Sequence, residues 1–402
     1  RANTGVLGAS VGTDHSDSEA DTDTGDASES AAEAGHDESA SDSETDDLAT
    51  DPVCGMSADP ETAPSVDHDG ETYYFCCENC AASFRDDPAS YPFHFGKFYL
   101  MEYASSVGLG CPGAMTGGAA LVLDKFDDGS LDEFYDGLTA REYDDLMTGA
   151  MFLTEKQGGT DVGANQVTAE PQDDGTYELY GEKWFCSNVD SAAALVLARR
   201  PDAPDGTEGL SLFLVSTHDR DGNPTDYRFR RLKDKLGTVT VPTGEVVFEG
   251  AEAYLVGEPE NGFQQMSEML NMERLYNAIS SCAAMGRSLL EAKVHAANRE
   301  VFGKRLDEHP LMRRDLLEMA TDHEAATAFT FAAVDAFHER ERTDEDAQAL
   351  MRILVPTAKY KTARLAVDTA TYAMEIKGGD GYVETFANPR LVRNAHVLPI
   401  WE

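Results

Sequence analysis

The spacing of apolar residues changes twice along this chain. From residue 259 onward, apolar side chains recur every three or four positions over many turns. The stretches are "FQQMSEMLNMERLYNAISSCAAMGRSLLEAKVHAANREVFG", "LMRRDLLEMATDHEAATAFTFAAVDAFHER" and "DAQALMRILVPTAKYKTARLAVDTATYAMEIKGG". That period predicts long helices packed as an antiparallel bundle over 259–402, with Pro356 starting or kinking the second half of the third. Between 151 and 258 the pattern shortens to runs such as "YELYGEKWFCSN", "AAALVLARR", "LSLFLVST" and "GEVVFEG". The turn signals "DDG", "DGNP" and "PTG" separate them, which predicts an antiparallel barrel or sandwich. Residues 93–150 return to helical spacing, broken at "GCPG". The fold class is therefore α+β and multidomain: a partial helical region, a β domain and a helical bundle.

Two further segments precede these. Residues 51–92 form a small Cys-bearing unit. Residues 1–50 are Ser, Asp, Glu, Ala, Thr and Gly with almost no large apolar side chain, so they cannot offset their ordering entropy and are expected to be a disordered acidic tail. The chain opens on Arg1 and closes on "HVLPIWE", and both ends read as trimmed.

Charge narrows the function. Asp and Glu number 74 against 32 Lys and Arg, a net of −42. The first fifty residues account for only −13 of this, so the acidity is global. Such a surface stays solvated at high salt, as halophilic proteins require, and it disfavours a nucleic-acid binder, which must neutralise phosphates. No apolar window is long enough to span a membrane and no signal peptide opens the chain. The Cys count is 7, with four in one region, which argues for a reducing, cytoplasmic compartment over a disulfide framework.

That region holds Cys54, Cys76 and Cys80 at C-x21-C-x3-C spacing. The hairpin-like "DGETYYFC" would return Cys76 towards Cys54. Three thiolates with His68 or Cys77 as a fourth donor suit zinc or another soft metal ion. The segment "DPVCGM…YYFCCENCAASFRDDPASY" resembles a YHS domain, a metal-binding unit often fused to enzymes. Its doubled Cys departs from the usual single one and leaves open which thiol binds.

The β domain opens on "MFLTEKQGGTDVGANQ". Gly158 and Gly159 let backbone approach a ligand, and Thr154 and Thr160 add hydroxyl donors. Further on, "GEKWFCSN" places two aromatics and a hydroxyl on a strand, able to flank a flat ring and bond its edge. Taken alone, each is more often a plain turn or a core strand.

Together they resemble the acyl-CoA dehydrogenase family, most closely its alkylation-response branch. "TEKQGGTDV" is similar to that family's T-E-x-x-x-G-S-D, and "KWFCSN" to its K-x-W-x-T-N. The resemblance implies that Thr154 and Ser187 bond a flavin ring, that Gly159 and Thr160 frame it, and that Phe185 stacks on it with Trp184 one residue before. Thr160 would also lie near the acyl-CoA. In "NMERLYNA", Arg274 would reach the CoA portion. In "ANREVFGKRLDEHP", Arg299 and Phe302 would touch the FAD of a neighbouring subunit. In "MEIKGGDGY", Glu375, Gly378 and Gly379 would hold the FAD phosphates, with Glu375 where Gln is usual. "PRLVRNA" and "IWE" complete the order. The resemblance covers about 93–402, and only the second half of the family's N-terminal helical domain is recognisable.

What this implies is an FAD-dependent acyl-CoA dehydrogenase of fatty acid metabolism. It would be a homotetramer passing electrons to an electron-transfer flavoprotein. Glu402, beside Ile400 and Trp401, would take the α-proton, because a carboxylate in apolar surroundings has its pKa raised. Two other readings compete: an FAD-holding, DNA-associated protein with little activity, and a metal-binding YHS protein on a degenerate scaffold.

Overall fold

The computed structural model describes residues 49–50, 56–60, 62–68, 71–77, 80–81, 90–218, 223–340 and 345–401. The acidic tail through residue 48, Cys54 and Glu402 lie outside the described residues. The chain divides into two compact units, with the boundary after Asp86.

The smaller unit pairs β1 (Ala49–Thr50) with β2 (Ser57–Ala58), and β3 (Ser65–His68) with β4 (Glu71–Tyr74), both antiparallel. Phe75 and Ala81 are buried at its centre, with Val66, Tyr73 and Cys80 packed on them.

In the larger unit, helix α1 spans Tyr91–Ser105 and starts where Ser90 Oγ accepts from Phe93 N at 3.3 Å. Helix α2 spans Gly110–Phe126, and α3 spans Asp132–Thr139. The helical run breaks over 106–109, as the sequence suggested, and "GCPG" opens the next helix. Pro112 falls in the first turn, where backbone N–H groups lack helical acceptors anyway.

Seven strands follow: β5 (Gly149–Phe152), β6 (Thr168–Pro171), β7 (Tyr177–Ser187), β8 (Ala193–Arg199), β9 (Leu210–Ser216), β10 (Tyr227–Leu232) and β11 (Thr243–Leu255). Their pairings run β11–β7–β6–β8, and β9 joins β8 back to β11, closing a circuit. The expected all-antiparallel pattern is corrected: β5 and β6 each pair with β8 in parallel, because long connections return the chain in the same direction. The enclosed core includes Phe152, Leu179, Val196, Phe213, Val215 and Phe248.

Helix α4 (Gly262–Asn298) has 37 residues, about 55 Å at 1.5 Å per residue. It is buried on nearly every face from Met266 to Leu289, the mark of a central helix. The hairpin of β12 (Glu300–Val301) and β13 (Lys304–Arg305) leads to α5 (Pro310–Glu339), α6 (Glu345–Lys377) and α7 (Asn388–Ala395). Helix α6 continues through Pro356. The missing N–H there, which costs about 3 kcal/mol in a helix interior, is offset by burial of Val355 and Ala358 against the bundle. Among the described residues, no helix is long and apolar enough to cross a membrane.

Candidate active site

The turn after β5 is built by a buried ion pair. Glu155 and Lys183 lie 2.9 Å apart with almost no exposed surface. Glu155 also accepts from Gln166 N at 2.6 Å and Val167 N at 3.1 Å. Burial pulls the Lys183 ammonium below its usual range, and Glu155 opposes this. The pair joins the Thr154 segment to β7, where Trp184 N donates to Thr154 O at 2.8 Å. Gly158 closes the turn at φ +122, a conformation that favours glycine. A Cβ on Gly159 would lie 2.7 Å from Thr154 Oγ1, so this glycine keeps the space in front of that hydroxyl open. Thr160 is exposed beside it.

Opposite Glu245, β7 bulges: Lys183 pairs with Val246 and Cys186 with Gly244, leaving Trp184 and Phe185 across from one residue. Strict alternation would send the two rings to opposite faces. Instead Lys233 Nζ lies 3.5 Å from the Trp184 ring centre and 4.6 Å from that of Phe185. Phe185 is 54% exposed. Ser187 Oγ meets Thr243 Oγ1 at 3.2 Å, and Thr243 in turn accepts from Lys235 Nζ at 3.0 Å. The Lys235 ammonium is lowered by burial and raised in part by Cys111.

Cys111 belongs to the wall of a small, partly open cavity, with Phe98, Glu102, Glu273, Tyr276, Ser280 and Trp401. The cavity measures about 20 Å³ by the path of a water-sized sphere's centre, enough for one water. Two carboxylates face this small space. Burial pushes Glu102 up to about 7, although Gly110 N–H, the Ser280 hydroxyl and Gly108 N–H pull it down. Gly110 N donates to Glu102 Oε1 at 2.8 Å, so this acid also fixes the start of α2. Asn394 secures the neighbouring loops, accepting from Thr238 N at 2.7 Å and donating to Val107 O at 2.8 Å. Sequence reasoning missed Glu102 and Glu273 as cavity groups. Glu102 had a signal: it continues the spacing of Phe95 and Phe98 on the buried face of α1, an acid in an apolar stripe.

Arg274 lies in a separate, open cleft of about 550 Å³ with Pro356, Lys359, Tyr360, Arg364 and Pro399. Lys359 Nζ donates to Trp401 O, which ties down the residue before Glu402.

The remaining expected FAD residues sit elsewhere. Phe302 and Gly303 form the two-residue turn of the β12–β13 hairpin with φ +51 and +76, the type I′ pattern, and the Phe302 side chain is 97% exposed. Arg299 precedes this hairpin and is exposed. Glu375 is exposed near the end of α6, and Gly378 at φ +67 ends that helix, followed by exposed Gly379. Lys377 pairs with Glu291 at 3.0 Å, which places this group at the far end of α4. The β domain meets the near end, where Gly262 packs against the backbone of Leu210–Leu212. One chain therefore does not gather both groups at one place.

In the smaller unit, the Sγ atoms of Cys76, Cys77 and Cys80 lie within 4.8 Å of one another, with Cys76 and Cys80 at 3.8 Å. Cys77 joins the cluster, and Cys54 is outside the described residues.

This architecture matches a known family. Residues 150–251 match the acyl-CoA dehydrogenase middle domain and 260–402 its C-terminal domain, while 49–93 match the YHS domain. The chain belongs to the acyl-CoA dehydrogenase family through those two domains, and it carries a YHS domain. It is 36% identical over 315 residues to acyl-CoA dehydrogenase family member 11 of Caenorhabditis elegans, covering 75% of this chain and 51% of that protein. It is 36% identical over 313 residues to the putative acyl-CoA dehydrogenase AidB of Escherichia coli K12, covering 76% of this chain and 56% of that protein. The crystal structure of C. elegans ACDH-11 in complex with C11-CoA superposes with a TM-score of 0.73 at 34% identity, covering 76% of this chain and 54% of that one. The chain thus spans about half the length of these relatives.

Proposed function

We propose that this chain is an FAD-dependent acyl-CoA dehydrogenase that desaturates the α,β bond of an acyl thioester. The observation that carries the reading is the bulged Trp184–Phe185 pair on the strand that is hydrogen-bonded to the Thr154–Gly159 turn through Trp184 N and Thr154 O. A flat ring needs an exposed aromatic and hydroxyl groups at its edge. Phe185, Thr154 and Ser187 supply them, with Ser187 already held by Thr243 at 3.2 Å, so these residues fit the flavin. FAD bound there supplies an acceptor for the substrate's β-hydrogen.

The chain's own residues do the remainder. Glu402 removes the α-proton. It follows Trp401 on the cavity wall by one Cα step, about 3.8 Å. Gly159 and Thr160 frame the ring, and Trp184 backs Phe185. Arg274 shares its cleft with Lys359 and Arg364, a cationic lining that suits the phosphates of CoA.

Arg299, Phe302, Glu375, Gly378 and Gly379 serve the FAD of a neighbouring copy. The exposure of Phe302 and the position of this group at the far end of α4 support a homo-oligomer, in the arrangement of a tetramer. Electrons pass on to an electron-transfer flavoprotein. Cys76, Cys77 and Cys80, with Cys54, hold zinc or another soft ion, since a set of thiolates favours such metals. The protein works in a reducing cytoplasm, and its acidic surface suits high salt. A DNA-bound role is disfavoured, because the arginines of β10 are already paired: Arg228 with Glu249 at 2.5 Å, Arg230 with Glu182 at 2.5 Å and Arg231 with Glu245 at 2.9 Å.

The test is FAD titration followed by flavin fluorescence. The parent should bind, and Gly159→Val, which fills the space before Thr154, should bind at least tenfold more weakly at unchanged fold by circular dichroism. Equal affinity in both proteins would remove the turn from the site.

A further inference from the structure

The cavity is lined by side chains from α1, α2 and α4 together with Trp401, and on the dehydrogenase reading each turnover leaves a proton beside it. One route outward is visible. Tyr276 lines the cavity, and its hydroxyl lies 2.6 Å from His94 Nε2. Tyr276 is buried, whereas His94 packs on one side against Phe95 and Tyr276 and is exposed on the other at the surface of α1. Glu273 lines the same cavity and stands three residues before Tyr276 on α4, so the two side chains share a face. The opposing helix makes room for both. A Cβ on Gly117 would lie 2.8 Å from the Tyr276 hydroxyl, and one on Gly118 would lie 3.4 Å from Glu273 Oε1.

We propose that Glu273, Tyr276 and His94 form a relay that carries protons between the cavity and solvent. This rests on the dehydrogenase reading for its proton source, and the groups themselves are present without any cofactor.

The transfer balances in one pass. Glu273 takes a proton from the cavity, directly or through the one water that fits there. Its carboxyl O–H then breaks as the proton moves to the Tyr276 oxygen. The phenol's own proton moves to His94 Nε2. The imidazolium so formed releases its Nδ1 proton to bulk water. Glu273 ends ionised, Tyr276 and His94 end neutral, and one proton has left. A return of the imidazole to its starting tautomer resets the chain.

The charge state of the resting groups agrees. Burial, and then Lys97 one turn along α1, lower the His94 pKa from its ordinary value, so the ring is neutral at pH 7 and can accept. Burial, with Glu273 and Tyr91 adding to it, raises the Tyr276 pKa, so the phenol keeps its proton between transfers. Lys97 on α1 and Glu273 on α4 are the charged groups that bear on the pair.

Two measurements test the relay on the full chain. The first needs no cofactor. In 15N-histidine spectra, His94 (assigned by its loss in His94→Gln) should be the Nδ1–H tautomer at neutral pH, because Nε2 accepts from Tyr276. In Tyr276→Phe it should relax towards the usual mixture. An Nε2–H tautomer in the parent would overturn the proposal. The second uses the FAD-loaded protein in weak buffer with a pH indicator and butyryl-CoA or dodecanoyl-CoA. Proton release should keep pace with flavin bleaching in the parent. It should lag at least tenfold in His94→Gln and in Tyr276→Phe, and free imidazole should restore it in His94→Gly. Release that keeps pace in both variants overturns the relay. If the parent does not bleach, the dehydrogenase reading fails and the tautomer result alone decides the relay.

Discussion

Replacing Lys183 by Met keeps most of the side-chain volume and removes its charge. Glu155 then remains buried, 5% exposed, without its cation. Removing one partner of a buried pair costs about 3–5 kcal/mol. Glu155 keeps the Gln166 and Val167 N–H donors at 2.6 and 3.1 Å, which favours the lower end of that range. We expect Lys183→Met to lose about 3 kcal/mol and to lower Tm by roughly 3–5 °C. The double variant Glu155→Gln/Lys183→Met removes both charges together. It should be less destabilised than the sum of the two single variants, by about 1–3 kcal/mol. Urea unfolding of the four proteins measures each term. The pair also holds the Thr154 segment against β7, so Lys183→Met should release FAD more readily in dilution. A Lys183→Met protein within about 0.5 kcal/mol of the parent, or single effects that simply add, would refute the claim that this pair builds the turn.

Three further expectations follow from other groups. Glu102 has its folded pKa raised to about 7 from 4.5, so the native state holds the extra proton. Its stabilising contribution is complete below pH 4.5 and is lost as pH rises through 7, a change of about 3 kcal/mol. Glu102→Gln should therefore flatten the fall in stability between those pH values in denaturant titrations, and an unchanged slope would place the proton elsewhere. Phe302→Ser, at a 97% exposed ring, should leave Tm unchanged in an isolated chain. Sedimentation should nevertheless show a smaller assembly and weaker FAD retention, and unaltered sedimentation would show that the hairpin faces water. Cys77→Ser should lower bound zinc or Cu(I) relative to the parent by elemental analysis, and equal metal content would exclude Cys77 from the site.

Much of the helical architecture could be read in advance because α4, α5 and α6 repeat apolar residues over eight or more turns. The long strands β7, β8, β9 and β11 were visible as Val-, Leu- and Phe-rich runs. The parallel pairs β5–β8 and β6–β8 were not, since partner and direction are set by long connections and leave no local mark. "GCPG" marked a real break, and it also starts the next helix, because a proline is tolerated in a first turn and Glu102 supplies the acceptor there from eight residues upstream. The candidate flavin residues were legible only as a combination of motifs. Trp184 and Phe185 both lie near Lys233 because of a bulge opposite Glu245, which no spacing rule exposes. The His94–Tyr276 contact joins residues 182 positions apart, so only the packed bundle reveals it.

The most direct measurement is anaerobic stopped-flow absorbance of the FAD-loaded protein mixed with acyl-CoA thioesters of graded length. It should be run with ordinary and α-deuterated substrate, and repeated with Glu402→Gln. The account predicts bleaching at the flavin maximum with at least one chain length, slower bleaching with the α-deuterated thioester, and none in Glu402→Gln although that variant still binds acyl-CoA. Absence of bleaching with every thioester would contradict the dehydrogenase assignment, and bleaching of Glu402→Gln at the parent's rate would contradict its proton-abstraction step.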